Sequence, residues 1–203
     1  MCDVTPFSEE TLELLSAAGW TEDRKVDVHP YVRALEKRGF EVFDAARTFL
    51  ETFGGIFIFD DPEERLLSRR VGSAMRKRHA IERKLGRWAG KVWQWFWPVE
   101  FQPYETLVSF DPTLDTMYVR HICIDYAPRL DKTICYVGLY GKSNQVLMID
   151  EDGVVYMGFK EQLWKIADDP SEAVDRLIRK DVNDLDEILP PGDDDEEDAP
   201  SRT

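Results

Sequence analysis

Phe49-Leu50-Glu51-Thr52-Phe53-Gly54-Gly55-Ile56-Phe57-Ile58-Phe59 closes one helix and opens one strand. Before the glycine pair, Phe49, Leu50 and Phe53 recur at the three- and four-residue spacing of a buried helical face; after it, Ile56 to Phe59 is a short apolar run of strand character. Upstream, two further helical stripes lead into it, Leu14, Leu15 and Ala18, then Val28, Tyr31, Val32 and Leu35. The third stripe begins with Val42, Ala45 and Ala46. Each run is followed by a glycine, Gly19, Gly39 and Gly54, and glycine suits the left-handed residue just past a helix end. Gly19-Trp20 and Gly54-Gly55 are read as fold-makers: a glycine lets the chain turn sharply and the aromatic after it plugs the core. Arg24 is expected to hydrogen-bond turn carbonyls.

Downstream, Asp60-Asp61-Pro62-Glu63-Glu64 has the grammar of a helix start, an Asp cap followed by proline at the first helical position. The helix expected after it has seam positions Leu67, Val71, Ala74, then Arg78 as an interruption, then Ile81, Leu85, Trp88, Val92 and Trp95, stepping by four and three. Basic pairs Arg69-Arg70, Arg76-Lys77 and Arg83-Lys84 recur every seven residues and share a face away from that seam. Trp93, Trp95 and Trp97 end it before Pro98. Thr106 to Phe110 reads as a strand ending at Asp111-Pro112, and Thr133 to Tyr140 as another. Thr116 to Tyr126 is open between strand, which its β-branched and aromatic residues favour, and a helix before Pro128. Gln145 to Ile149 and Val154 to Met157 pair as a hairpin across Asp150-Glu151-Asp152-Gly153. Asp169-Pro170-Ser171-Glu172 starts a last helix that buries Ala173, Val174, Leu177 and Ile178. Residues 190–203, with six consecutive acids from Asp193 to Asp198, are expected to form a disordered acidic tail.

With 203 residues and 43% hydrophobic content the chain has enough apolar material for a real core, and residues 1–189 are read as a single domain. Its formal charge of −14 points away from indiscriminate nucleic-acid binding and toward a basic partner. The sign is unevenly spread: residues 65–91 hold ten Arg and Lys against one acid, Glu82. Cys2, Cys123 and Cys135 are too few and scattered for a disulfide framework, and no apolar run approaches the roughly 18 residues of a membrane span. A soluble, cytoplasmic protein is the expectation.

Catalytic signatures are missing from the sequence. His29, His79 and His121 stand alone, with neither a G-x-S-x-G elbow nor H-E-x-x-H beside them. His121, Cys123 and Cys135 amount to three ligand types, but the first two lie at i and i+2, without zinc spacing. Asp150-Glu151-Asp152-Gly153 lacks the downstream glutamate of a calcium loop. No catalytic, metal or cofactor residue is therefore assigned.

Three blocks together resemble one family. Leu14-Leu15-Ser16-Ala17-Ala18-Gly19-Trp20 with Arg24, Phe49 to Ile56 followed by Ser109-Phe110-Asp111-Pro112, and Tyr136-Val137-Gly138 with the Val146 to Tyr156 hairpin and the Ser171 to Ile178 helix are similar, in order and spacing, to the third subfamily of the SUKH superfamily of immunity proteins. The resemblance covers residues 7–59 and 105–180. It implies an α+β domain, a mainly antiparallel sheet flanked by helices; the long basic, tryptophan-rich helical insertion expected over 61–104 departs from the family pattern. It implies a non-enzymatic protein of bacterial polymorphic-toxin systems that binds and neutralises a cognate toxin, such as a nuclease, by covering its active site. It also favours helix over strand for Thr116 to Tyr126. On this reading, Arg69, Arg70, Arg76, Lys77, Arg83, Lys84, Trp93, Trp95, Trp97, Asp150, Glu151 and Asp152 are the candidate partner-binding residues. Two other uses of the basic helix stand beside it: a nucleic-acid or adaptor surface, whose binding would fall steeply with salt through counterion release, and a plain solvated face.

Overall fold

The computed structural model describes residues 7–59, 106–114, 119–141 and 145–190. The basic helix expected over 61–104 and the disordered acidic tail expected over 190–203 lie outside the described residues, Pro190 apart. Among those described, five helices and six strands form an α+β fold. The helices are α1 (Glu9–Ala17), α2 (His29–Lys37), α3 (Asp44–Phe53), α4 (Val119–Leu130) and α5 (Pro170–Arg179). The strands are β1 (Phe57–Phe59), β2 (Thr106–Ser109), β3 (Ile134–Tyr140), β4 (Gln145–Asp150), β5 (Val155–Phe159) and β6 (Gln162–Ala167). They lie in sequence order in one sheet, each antiparallel to the next.

The helix ends follow from the glycines. Past α1, Gly19 takes φ 89°, its N–H donates to Ser16 O, and Trp20 N–H reaches back to Leu15 O at 2.9 Å. Past α2, Gly39 and Phe40 repeat the pattern. These are the reciprocal bonds that satisfy the last free carbonyls of a helix. The end of α3 differs from expectation. Gly54 is extended (φ −50°, ψ 129°), and the left-handed residue is Gly55 at φ 72°. Gly54 is required by crowding: a Cβ there would stand 2.3 Å from Leu50 O and 2.7 Å from the Tyr31 ring. Gly55 then turns the chain so that its N–H donates to Phe110 O, and Phe110 N–H donates to Ile56 O, which extends the β1–β2 pairing.

An aromatic cluster joins these pieces. Phe53 touches Phe7, Phe49 and Phe110 at centroid distances of 6.2, 5.2 and 5.8 Å, and Trp20 lies nearly parallel to it, 9° between planes. The Arg24 guanidinium donates to Thr52 O at 2.5 Å and Gly54 O at 2.6 Å, so the turn carbonyls it binds are those that close α3. Arg38 does the same for the β2 exit, donating to Pro112 O at 2.5 Å. The sequence spacing shows neither partner, because 28 and 74 residues separate the bonded groups.

From Val119 on, the open segment is helical: α4 runs through Pro128 to Leu130 instead of stopping before the proline, and residues 116–118 lie outside the described residues. Pro128 sits in the final turn, where its missing N–H costs one bond and no continuing helix is lost. Tyr126 holds α4 to the sheet: its hydroxyl donates between Lys160 O (2.8 Å) and Gln162 O (2.9 Å), and its ring packs on Gly158, where a Cβ would stand 2.2 Å from it. Helix α5 begins as expected, with the Asp169 carboxylate accepting from Ser171 and Glu172 N–H, and it buries Ala173, Val174, Leu177 and Ile178.

Asp175 of α5 clamps the start of α1. Its carboxylate accepts from Ser8 N–H and Ser8 hydroxyl, both at 2.8 Å. Burial alone would raise its pKa, but the hydrogen bonds from Thr11, Ser8 and Arg179 outweigh that and hold it below the usual carboxylate value. A depressed folded-state pKa stabilises above the unfolded value, near ~3.9, and the contribution is lost as pH falls through the folded one. Asp175→Asn is therefore expected to be less stable than wild type at neutral pH, with the gap closing below about pH 4. Urea unfolding of both proteins between neutral pH and about pH 3 checks it, and a gap that stays constant contradicts the assignment.

Candidate partner-binding surface

Two features stand at the margins of the sheet, the acidic β4–β5 turn and a cleft beside β6. In the turn, Asp150 is 1% exposed. One carboxylate oxygen accepts from Asp152 N–H (3.0 Å) and Val154 N–H (2.9 Å), and the other from the Tyr156 hydroxyl (2.9 Å). Burial, then the bond to Asp150, drive the Tyr156 phenol upward and keep it a donor. The Asp150 side chain is thus engaged inside the hairpin, while Glu151 and Asp152 are exposed. Asp152 pairs with Lys132 at 2.5 Å, an exposed contact that orients the loop more than it stabilises it.

The other candidates fall in two groups. Arg69, Arg70, Arg76, Lys77, Arg83, Lys84, Trp93, Trp95 and Trp97 lie outside the described residues. Gly19, Trp20, Arg24, Gly54 and Gly55 are brought together where α1, α3 and the start of β1 meet, around the Phe53 ring and the α3 carbonyls.

A cleft of about 450 Å³ opens between the sheet and the chain that follows α5. Tyr140 of β3, Gln145 of β4, Met157 of β5 and Trp164 of β6 line one side; Lys180, Val182, Asn183 and Leu185 line the other. The second wall is held by a strap running antiparallel to β6, through a bridge between Trp164 and Glu187 and a bond from Ile188 N–H to Leu163 O of 2.7 Å. Val182, Leu185 and Ile188 pack against the core, while Asp181, Asp184, Asp186 and Glu187 face solvent. Lys180 starts the strap in the left-handed conformation, φ 62°, the place glycine holds after α1 and α2. Neither β6 nor the strap was assigned from sequence. Lys160-Glu161 carries no glycine or asparagine to mark the β5–β6 turn, and the strap's signal is only three apolar residues spaced by three among acids.

Among the described residues no group of three or more His, Cys, Asp or Glu is placed to hold a metal ion. Cys123 and Cys135 are both buried; burial raises both thiols, Cys135 to about 12, which disfavours the thiolate that a metal or an electrophile needs. Among the described residues no helix is long and apolar enough to cross a membrane.

A family model described as SUKH-3 immunity protein matches residues 7–180. No match is found among curated proteins or among solved structures.

Proposed function

The chain belongs to the SUKH-3 immunity protein family, and on that premise we propose that it neutralises a cognate toxin domain by binding it and shutting substrate out of its active site. The match over residues 7–180 carries this reading, because it takes in every strand and helix described above. Inhibition by binding requires no catalysis, only a surface that pairs tightly with one partner. An interface of about 1,600 Å² in total, centred on a few aromatic and charged anchors, suffices. The exposed carboxylates of the β4–β5 turn and of the strap, in a chain of net charge −14, favour a partner with a basic contact surface.

Co-expression tests the proposal. Cells producing the toxin domain encoded beside this gene should die when it is alone and grow when this protein is made with it. Equal killing in both cases would remove the proposal.

A further inference from the structure

We propose that the outer face of β1 and β2 is the seat of this chain's own basic segment, whose apolar seam between Leu67 and Trp95 covers Phe57 and Phe59. β1 is a terminal strand of the sheet. Strand alternation turns Ile58 toward the main core and Phe57 and Phe59 to the opposite face, where they form a separate cluster. Ser109, paired with Phe57 across β1 and β2, shares that face. All three are closed off from water: Phe57 and Ser109 are 0% exposed and Phe59 is 4% exposed. Among the described residues, the hydrophobic side chain packed on the two rings is Leu114, itself only partly buried. A buried phenylalanine hides about 150–250 Å², more than one partly exposed leucine covers twice over on an outermost strand. The burial is that of the single chain, so the remaining cover is part of the chain itself.

Connectivity selects the segment. Residues 60–105 leave the sheet at Phe59 and re-enter it at Thr106, and those two residues are paired across β1 and β2. Both ends are therefore tethered at the margin of the face to be covered, which gives the segment an effective concentration there on the order of millimolar. Its chemistry fits too. Leu67, Val71, Ile81, Leu85 and Val92 belong to one apolar stripe that requires a surface to bury it, and Gly72, Gly86 and Gly90 weaken the helix unless it packs on one. Residues 142–144 hold no apolar side chain, and residues 191–203 carry the run of acids from Asp193 to Asp198. Seated by its seam, the segment turns Arg69-Arg70, Arg76-Lys77 and Arg83-Lys84 outward. The β1–β2 end of the domain then presents a cationic surface, opposite in sign to the exposed Glu151 and Asp152 of the β4–β5 turn.

The test is photo-crosslinking in the purified full-length protein, with p-benzoylphenylalanine in place of Phe59 and, in a second variant, in place of Leu114. Thermal melts verify that each is folded; Leu114 is partly exposed and keeps the test open if the larger ring at Phe59 unfolds the chain. Peptide mapping then locates the adduct. The probes should bond within residues 67–95. Leu85→Asp with Val92→Asp, which sets carboxylates on the seam, should lower that yield about tenfold or more, because an ionised group is not buried against the rings. Arg76→Gln with Lys77→Gln, on the outward face, should leave it within about twofold. Adducts confined to residues 115–118, which follow Leu114, or joining two copies of the chain, would identify a different cover and overturn the inference. Adducts within 67–95 that survive the seam variant would overturn the role of the seam. No toxin enters the measurement, so its outcome is independent of the immunity reading.

Discussion

Phe53→Ala is expected to lower the free energy of unfolding by about 3–5 kcal/mol, a large part of the ~5–15 kcal/mol that holds a typical domain together. Phe53 is 3% exposed and sits where four separate segments meet: Phe7 ahead of α1, Trp20 after it, Phe49 one turn earlier on α3, and Phe110 at the end of β2. Removing the ring takes away its own transfer energy and leaves a cavity whose walls cannot collapse, because each wall belongs to a different element. Phe7 and Trp20 also lose an edge-on and a parallel aromatic partner. Urea denaturation followed by tryptophan fluorescence measures the loss. A change under ~1 kcal/mol would mean that the α3–β1 junction is not the organising contact proposed here.

The second large effect is at the hairpin. Asp150→Ala should cost about 2–4 kcal/mol, although the residue belongs to a run of acids that looks like surface. Its carboxylate answers two backbone amides and the buried Tyr156 hydroxyl, so truncation leaves three donors without an acceptor in a place water barely reaches. Glu151→Ala, exposed one residue on, should stay within about 0.5 kcal/mol of wild type. Equal losses for the two would contradict the division of the turn into a buried and a solvated half. The same pair separates folding from recognition, since Glu151 is left free to face a partner and Asp150 is not.

Much of the scaffold was legible because local signals agreed. On α5, one Asp-Pro-Ser-Glu start and one apolar stripe predicted the cap and all four buried residues, since both are set within a turn or two of chain. The 145–157 hairpin was visible for the same reason. What stayed hidden depends on distant chain. Gly54 looked like an ordinary helix terminator; what requires glycine there is the Leu50 carbonyl together with the Tyr31 ring from another helix. Arg24 was expected to bond turn carbonyls, but nothing local shows that the turn is the one at Gly54, 30 residues on. β6 lacks turn residues before it, and its place is fixed by Tyr126 gripping the Lys160 and Gln162 carbonyls from α4. Asp150 reads as one acid among three, and only the fold distinguishes the buried carboxylate from its exposed neighbours. The cleft was out of reach for that reason too: its lining comes from four strands and a strap that meet only once the sheet is assembled.

We propose that this chain acts by occupying a toxin, and inhibition of the purified toxin domain encoded beside its gene reads that occupation. Toxin activity is followed as the protein is added. Activity should fall linearly to baseline at equimolar protein, with a stable complex of the two chains on gel filtration. Full toxin activity in the presence of excess protein, with the two chains eluting separately, would contradict it.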